Sequence, residues 1–186
     1  MSNTSTNEVT VREAIRGIIA PMAIDKIIGQ PTNTTVNHLK QQVAKIAAAV
    51  KTTEWGGRHG HLALVINEAD YRTVTGDATA IVDPQIAPPL IPAGLVNNMT
   101  ITDRTRISAT HAIANQEFWK QAAVNAIIVK RIVSEIVDST YVEELEDDYV
   151  DYSGQTIKTI IAHIKREWCT VTTLEKKQAL AEFKLQ

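Results

Sequence analysis

A single cysteine, Cys169, stands in a chain of 186 residues. One thiol cannot close an intramolecular disulfide or build a thiolate-rich zinc site, and it fits a reducing compartment. No apolar run approaches the roughly 18–20 residues of a membrane span, so no membrane partner is expected. The opening "MSNTSTNEVT" lacks the basic and then apolar regions of a secretory signal; a cytoplasmic protein is the expectation. An excess of one charge is missing too. Lys and Arg number 19 against 21 Asp and Glu, a formal charge of -2, which gives no bulk electrostatic drive toward nucleic acid. Aromatics are only 5% of the chain, so Ile, Val, Leu and Ala must fill the interior.

Catalytic signatures are missing as well. There is no strained G-x-S-x-G turn and no glycine-rich phosphate loop. Cys169 and His163 lie six residues apart, a spacing that does not bring two groups together on a helix. The expectation is a protein that is not an enzyme and carries no cofactor.

What is present is helical periodicity, in a chain that is 44% apolar and 22% charged. The fold class expected is mainly α. After a flexible N-terminus over 1–10, Val11, Ile15, Ile18, Ile19, Ala23, Ile27 and Ile28 follow a helical period, interrupted at Pro21. Gly29 and Pro31 stop that segment. Val36, Leu39, Val43, Ile46 and Val50 then alternate by three and four, with Thr34 or Thr35 as N-cap. The stripe spans about two heptads, too short for a coiled coil, and the ordinary reading is a core-facing helix. The same five residues are also candidates for self-association.

Gly56, Gly57 and Gly60 mark a turn, and Leu62 to Ile66 fits either a short strand or the start of a helix. Asn67 and Asp70 read as the cap of a helix that Gly76 ends. Four of the six prolines fall in 77–105, which is expected as an extended linker or functional loop. Beyond it, Trp119, Ala122, Ala126, Val129, Val133 and Ile136 form a stripe widened by Ile127, Ile128 and Ile132. Ile157, Ile160, Ile161, Ile164 and Trp168 repeat the pattern. Thr172 and Glu175 are spaced as a capping box for a last helix with no stop signal, so the reading frame is expected to continue. The chain thus divides into an N-terminus at 1–10, a helical part with a Gly/His turn at 11–76, a linker at 77–105 and a helical part at 106–186. The two helical parts are expected to pack as one unit.

Two stretches invite a chemical reading. "YVEELEDDYVDYSGQT" places six carboxylates between Glu143 and Asp151. An EF-hand register with Gly154 at loop position six puts Tyr149 at position one and Ile160 at twelve, and neither supplies a carboxylate. The ordinary reading is a solvated corner whose charge favours the helix N-terminus that follows. "GRHGHL" sets His59 and His61 on one side of an extended chain. They are weak metal candidates, with Glu54 or Asp70 as a third ligand, but no third ligand stands at a defined spacing. A structural turn is the preferred account.

The order of the segments is more specific than any one motif. Gly29, Pro31 and Thr32 precede the amphipathic helix; Gly56, Gly57, His59, Gly60, His61 and Leu62 lead to Ala69 and Tyr71. Tyr141, Leu145 and Asp147 then precede His163, Ile164, Trp168, Val171 and Thr172. Over residues 25–176 this series resembles the Gag-like N-terminal region of copia-type LTR retrotransposons. The chain departs from that pattern at "DYSGQT" and at "WC", and with one cysteine it carries no zinc knuckle. The resemblance implies a helical capsid-like bundle that self-associates into particles around element RNA. It carries no catalytic residues. Two alternatives stand beside it: an adaptor domesticated from Gag, and a small metal-binding domain using the HGH segment. Gly56, Gly57, Gly60, Pro31, Trp119 and Trp168 are expected to be structural.

Overall fold

The computed structural model describes residues 3–53, 57–76 and 100–169, with side chains from Glu8 onward in the first helix. Five α-helices carry these residues: α1 (Asn3–Ile19), α2 (Asn33–Ala49), α3 (Glu68–Thr75), α4 (Ile101–Arg131) and α5 (Ile157–Glu167). The expected mainly α class is what the chain adopts. No helix among the described residues is long and apolar enough to cross a membrane.

Helix α1 begins at Asn3, inside the stretch expected to be a flexible tail, and it stops at Ile19. Pro21 ends it, because the ring removes the next helical donor and crowds the preceding turn. Ala23 to Ile28 therefore do not continue the helix. They run as open chain, tied to α4 where the Ile27 amide donates to the Ile136 carbonyl at 2.9 Å. Arg131 closes the end of α1 by donating to the carbonyls of Ile19 and Met22 at 3.2 and 3.0 Å. A basic side chain there meets the partial negative charge of a helix C-terminus.

Gly29, at φ +74°, and buried Pro31 turn the chain into α2. The N-cap is Thr32, not Thr34 or Thr35, and it exchanges bonds with Thr35 in a capping box. Val36, Leu39, Val43, Ile46 and Val50 are all buried in the core. This corrects their candidacy for self-association: they pack within one chain and present nothing to a second.

The end of α2 sets the next turn. Two short 3-10 turns follow, Gly57–His59 and Leu62–Leu64, so 62–66 is not a strand. Between them Gly60 lies at φ +54°, where a Cβ would stand 2.4 Å from the Ala48 carbonyl oxygen and 2.5 Å from that of Val50. Only glycine lets the backbone approach so closely. Leu62 to Ile66 are consequently pressed into the core. Helix α3 forms as its caps predict: Asn67 accepts from the Asp70 amide, and Gly76 ends it in the left-handed region.

Helix α4 is 31 residues long, about 46 Å at the usual rise. Thr100 and Asp103 cap it, so 101–105 is helix, not the tail of a linker; 77–99 lies outside the described residues. Its last turn widens into a π-helical segment, Ile132–Ile136. The buried face centres on Val124, Ile128 and Ile132, while Trp119, Ala122, Ala126, Ile127 and Val133, expected on or beside the core stripe, are only half-buried. Helix α5, capped by Thr156, buries Ile157, Ile160, Ile161 and Ile164. The core is almost wholly aliphatic, as the scarcity of aromatics requires. The last expected helix, with Thr172 and Glu175, lies outside the described residues.

A paired substitution tests the close approach at Gly60. Gly60→Ala is expected to lose on the order of 2–5 kcal/mol, from the left-handed backbone and the overlap with fixed carbonyls. Gly17→Ala, where an added Cβ meets nothing within 4 Å, should gain about 0.5–1 kcal/mol from its position inside a helix. Urea unfolding of the two variants reads both signs.

Candidate functional site

The Gly/His turn is built into the C-terminal end of α2. A helix leaves its last carbonyls without intrahelical donors, and His61 supplies two. Its amide donates to the Ala47 carbonyl at 3.0 Å, and its ring Nδ1 lies 2.9 Å from the Val50 carbonyl. A carbonyl only accepts, so Nδ1 carries the proton. His61 as a whole is 2% exposed. His59 points elsewhere and meets the ring of Tyr71 edge-on, with centroids 5.8 Å apart. The two histidines thus do different jobs instead of converging. Asp70, a candidate third ligand, is bonded to the Lys40 ammonium at 2.8 Å. Glu54 and Gly56 lie outside the described residues. Among the described residues no group of three His, Cys, Asp or Glu side chains is placed to hold a metal ion.

Beside His61 lies a carboxylate that its sequence position did not single out. Glu117 in α4 is buried, and it accepts from the Thr52 hydroxyl at 2.6 Å and the Thr53 amide at 3.2 Å. The Lys120 ammonium completes the cluster at 2.5 Å. Burial pushes the Glu117 carboxyl up, but the bonds from Lys120, Thr52 and Thr53 outweigh it and hold the pKa below the ordinary 4.5. The chemistry is that of a clamp: a charge stabilised in place by donors on three sides. Glu117, Gln121 and Asn125 recur every fourth residue, a polar row that runs beside the buried Val124 and Ile128. That spacing was the available signal.

Asn125 is a second clamp. Its amide donates to the Gln155 carbonyl at 2.9 Å, and its oxygen accepts from the Ile157 amide at 3.1 Å. One side chain thereby fixes both the end of the acidic stretch and the first turn of α5. Within that stretch, Asp147 and Asp151 exchange backbone bonds of 3.0 and 2.9 Å. The Asp147 carboxylate accepts from the amides of Tyr149 and Val150, so one of the six acids is used to shape the loop. Asp151 sits at φ +57°, the left-handed region that aspartate tolerates better than most residues. Tyr152 donates to Glu146 at 3.2 Å, and burial together with that acid pushes its pKa up to about 12. Trp168 ends α5 and meets Tyr141 edge-on at 5.1 Å.

A groove of about 620 Å³ opens between α1, α4 and the start of α5. Leu64, Phe118, Trp119 and Ala122 give it an apolar lining, and Arg12, Lys158 and Glu8 give it charge. Since Glu8 and Arg12 share it with Phe118 to Ala126, and Arg131 binds the end of α1, the two helices run in the same sense.

No family model, curated protein or solved structure matches the chain.

The buried turn gives a pH signature. Burial, the largest influence, lowers the His61 pKa below the ordinary 6.5, and the Val50 bond and nearby Glu117 only partly offset it. The unfolded chain therefore takes up this proton first, so the contribution is whole above about pH 6.5 and falls as pH drops toward the folded value. Glu117 acts in the same sense at lower pH, losing its contribution as pH falls through its depressed folded value. The urea midpoint is expected to decline between pH 7 and pH 5.5. In His61→Asn, whose amide can donate to Val50 without titrating, the decline should flatten.

Proposed function

We propose that the chain is a structural protein of the capsid type, Gag-like in the manner of copia-type LTR retrotransposons. In this reading it self-assembles in the cytoplasm into particles that hold element RNA, and it catalyses nothing itself. The ordered series of segments from Gly29 to Thr172 supports the reading. The structural observation that carries it is the N-terminal half of α4. No residue from Ile101 to Gln116 is fully buried: Asp103, Ile107, His111, Ala114 and Asn115 are half-buried along one side, and the remaining faces of about 24 Å of helix are exposed. Ile101 is 84% exposed and Ile113 is 53% exposed on that segment.

Burying one such side chain contributes about 1.5–3 kcal/mol, a modest gain for a single pair of molecules. Repeated over many subunits, weak contacts of this kind sum to a stable assembly. The same logic applies to the cargo. With a net charge of -2, one subunit has little general attraction for phosphate, so RNA retention would depend on many copies acting together.

Light scattering over a concentration series tests the reading. Particle size is expected to rise with concentration in the unaltered chain, and Ile101→Asp with Ile113→Asp should move the onset at least about tenfold higher. A single monomeric species at the highest concentrations would contradict it.

A further inference from the structure

The groove and the acidic turn lie side by side, because Ser153 and Thr156, which line the groove, directly follow the turn closed by Asp147 and Asp151. The tip of that turn is Tyr149 and Val150, 94% and 53% exposed. This tip is not floppy by construction: the Asp147–Asp151 backbone pair and the Asp147 carboxylate hold it in one shape. A preformed aromatic knob loses little freedom when it binds, and tyrosine is among the residues that dominate contacts between proteins. Around the knob stand Glu146, Asp147, Asp148 and Asp151.

The groove is its complement. Leu64, Phe118, Trp119 and Ala122 offer an apolar and aromatic lining, and the volume falls in the range of roughly 300–1,000 Å³ in which compact groups seat. Arg12 and Lys158 supply two cations against the one acid, Glu8. Arg12 makes no ion pair among the described residues.

We propose that Tyr149 of one copy inserts into the groove of a second copy, with Arg12 facing Asp148 across the contact. Because knob and groove adjoin on one surface, each copy gives its knob and receives its partner's in the same encounter. Such a self-complementary patch closes a two-fold dimer and does not propagate a fibre. Reciprocal exchange also doubles the area covered. The dimer rests on the self-association reading and names one of its contacts, separate from the exposed isoleucines in the first half of α4.

Sedimentation of the full chain over a concentration series tests it. The weight-average mass should climb from 20.5 kDa to about twice that value before any larger species form. Tyr149→Ala, which removes the knob, and Ala122→Trp, which fills the groove, should each weaken dimerisation at least about tenfold. Arg12→Glu and Asp148→Lys should each weaken it, and the two combined in one chain should restore it. Circular dichroism confirms that each variant is folded. If the chain associates equally in all variants, the contact is overturned while self-association stands. If the double charge variant is as weak as the singles, the placement of Tyr149 is overturned. If the unaltered chain stays monomeric throughout, both readings fall.

Discussion

The architecture depends on how α2 is closed. A helix ending inside a protein leaves carbonyls that must find donors, since a buried unpaired polar group costs about 1–3 kcal/mol. Here the chain bends back on itself, and one residue, His61, answers two of them. Gly60 makes the bend possible by lacking a Cβ where backbone oxygens crowd in. Once that reversal is made, Leu62 to Ile66 fall into the core, and Thr52 and Thr53 are carried to Glu117 in α4.

The interior is then locked to α4 by polar side chains at separated points along it. Glu117 holds the chain after α2, Asn125 holds the start of α5, and Arg131 holds the end of α1. Aliphatic packing supplies the bulk of the stabilisation, and these bonds select one arrangement of the helices. All the clamps lie in the C-terminal half of α4. The first half is left with no fully buried residue and with Ile101 and Ile113 exposed, and the acidic turn is left as a shaped knob. The proposed assembly uses what the monomer does not.

Local signals in the sequence translated well where the structure obeys local physics. Pro21 stops α1, Asn67 and Gly76 bound α3, and the period-3.6 stripe of α2 is its buried face. The Gly/His segment was legible as a turn but not as a helix closure, because its acceptors lie eleven or more residues back in the chain. Leu62 to Ile66 reads as a strand or helix because five apolar residues carry no period; burial on a turn satisfies them equally well. The stripe on α4 came out rotated. Its isoleucines are so dense that hydrophobicity alone does not orient the helix, and Glu117, Gln121 and Asn125, each bound to a distant partner or pressed into the core, decide which way it faces. Asn3 to Thr10 are helical despite a polar composition in which no local signal marks a helix.

The His61 turn closes the fold and is not an open site. Native-state amide hydrogen exchange tests it most directly, because it separates local opening from global unfolding. The His61 amide, bonded to Ala47, is expected to exchange only with the same free energy as the core amides of α5, while amides in 101–115 exchange through smaller openings. A His61 amide that exchanges rapidly, with the core of α5 still protected, would contradict it.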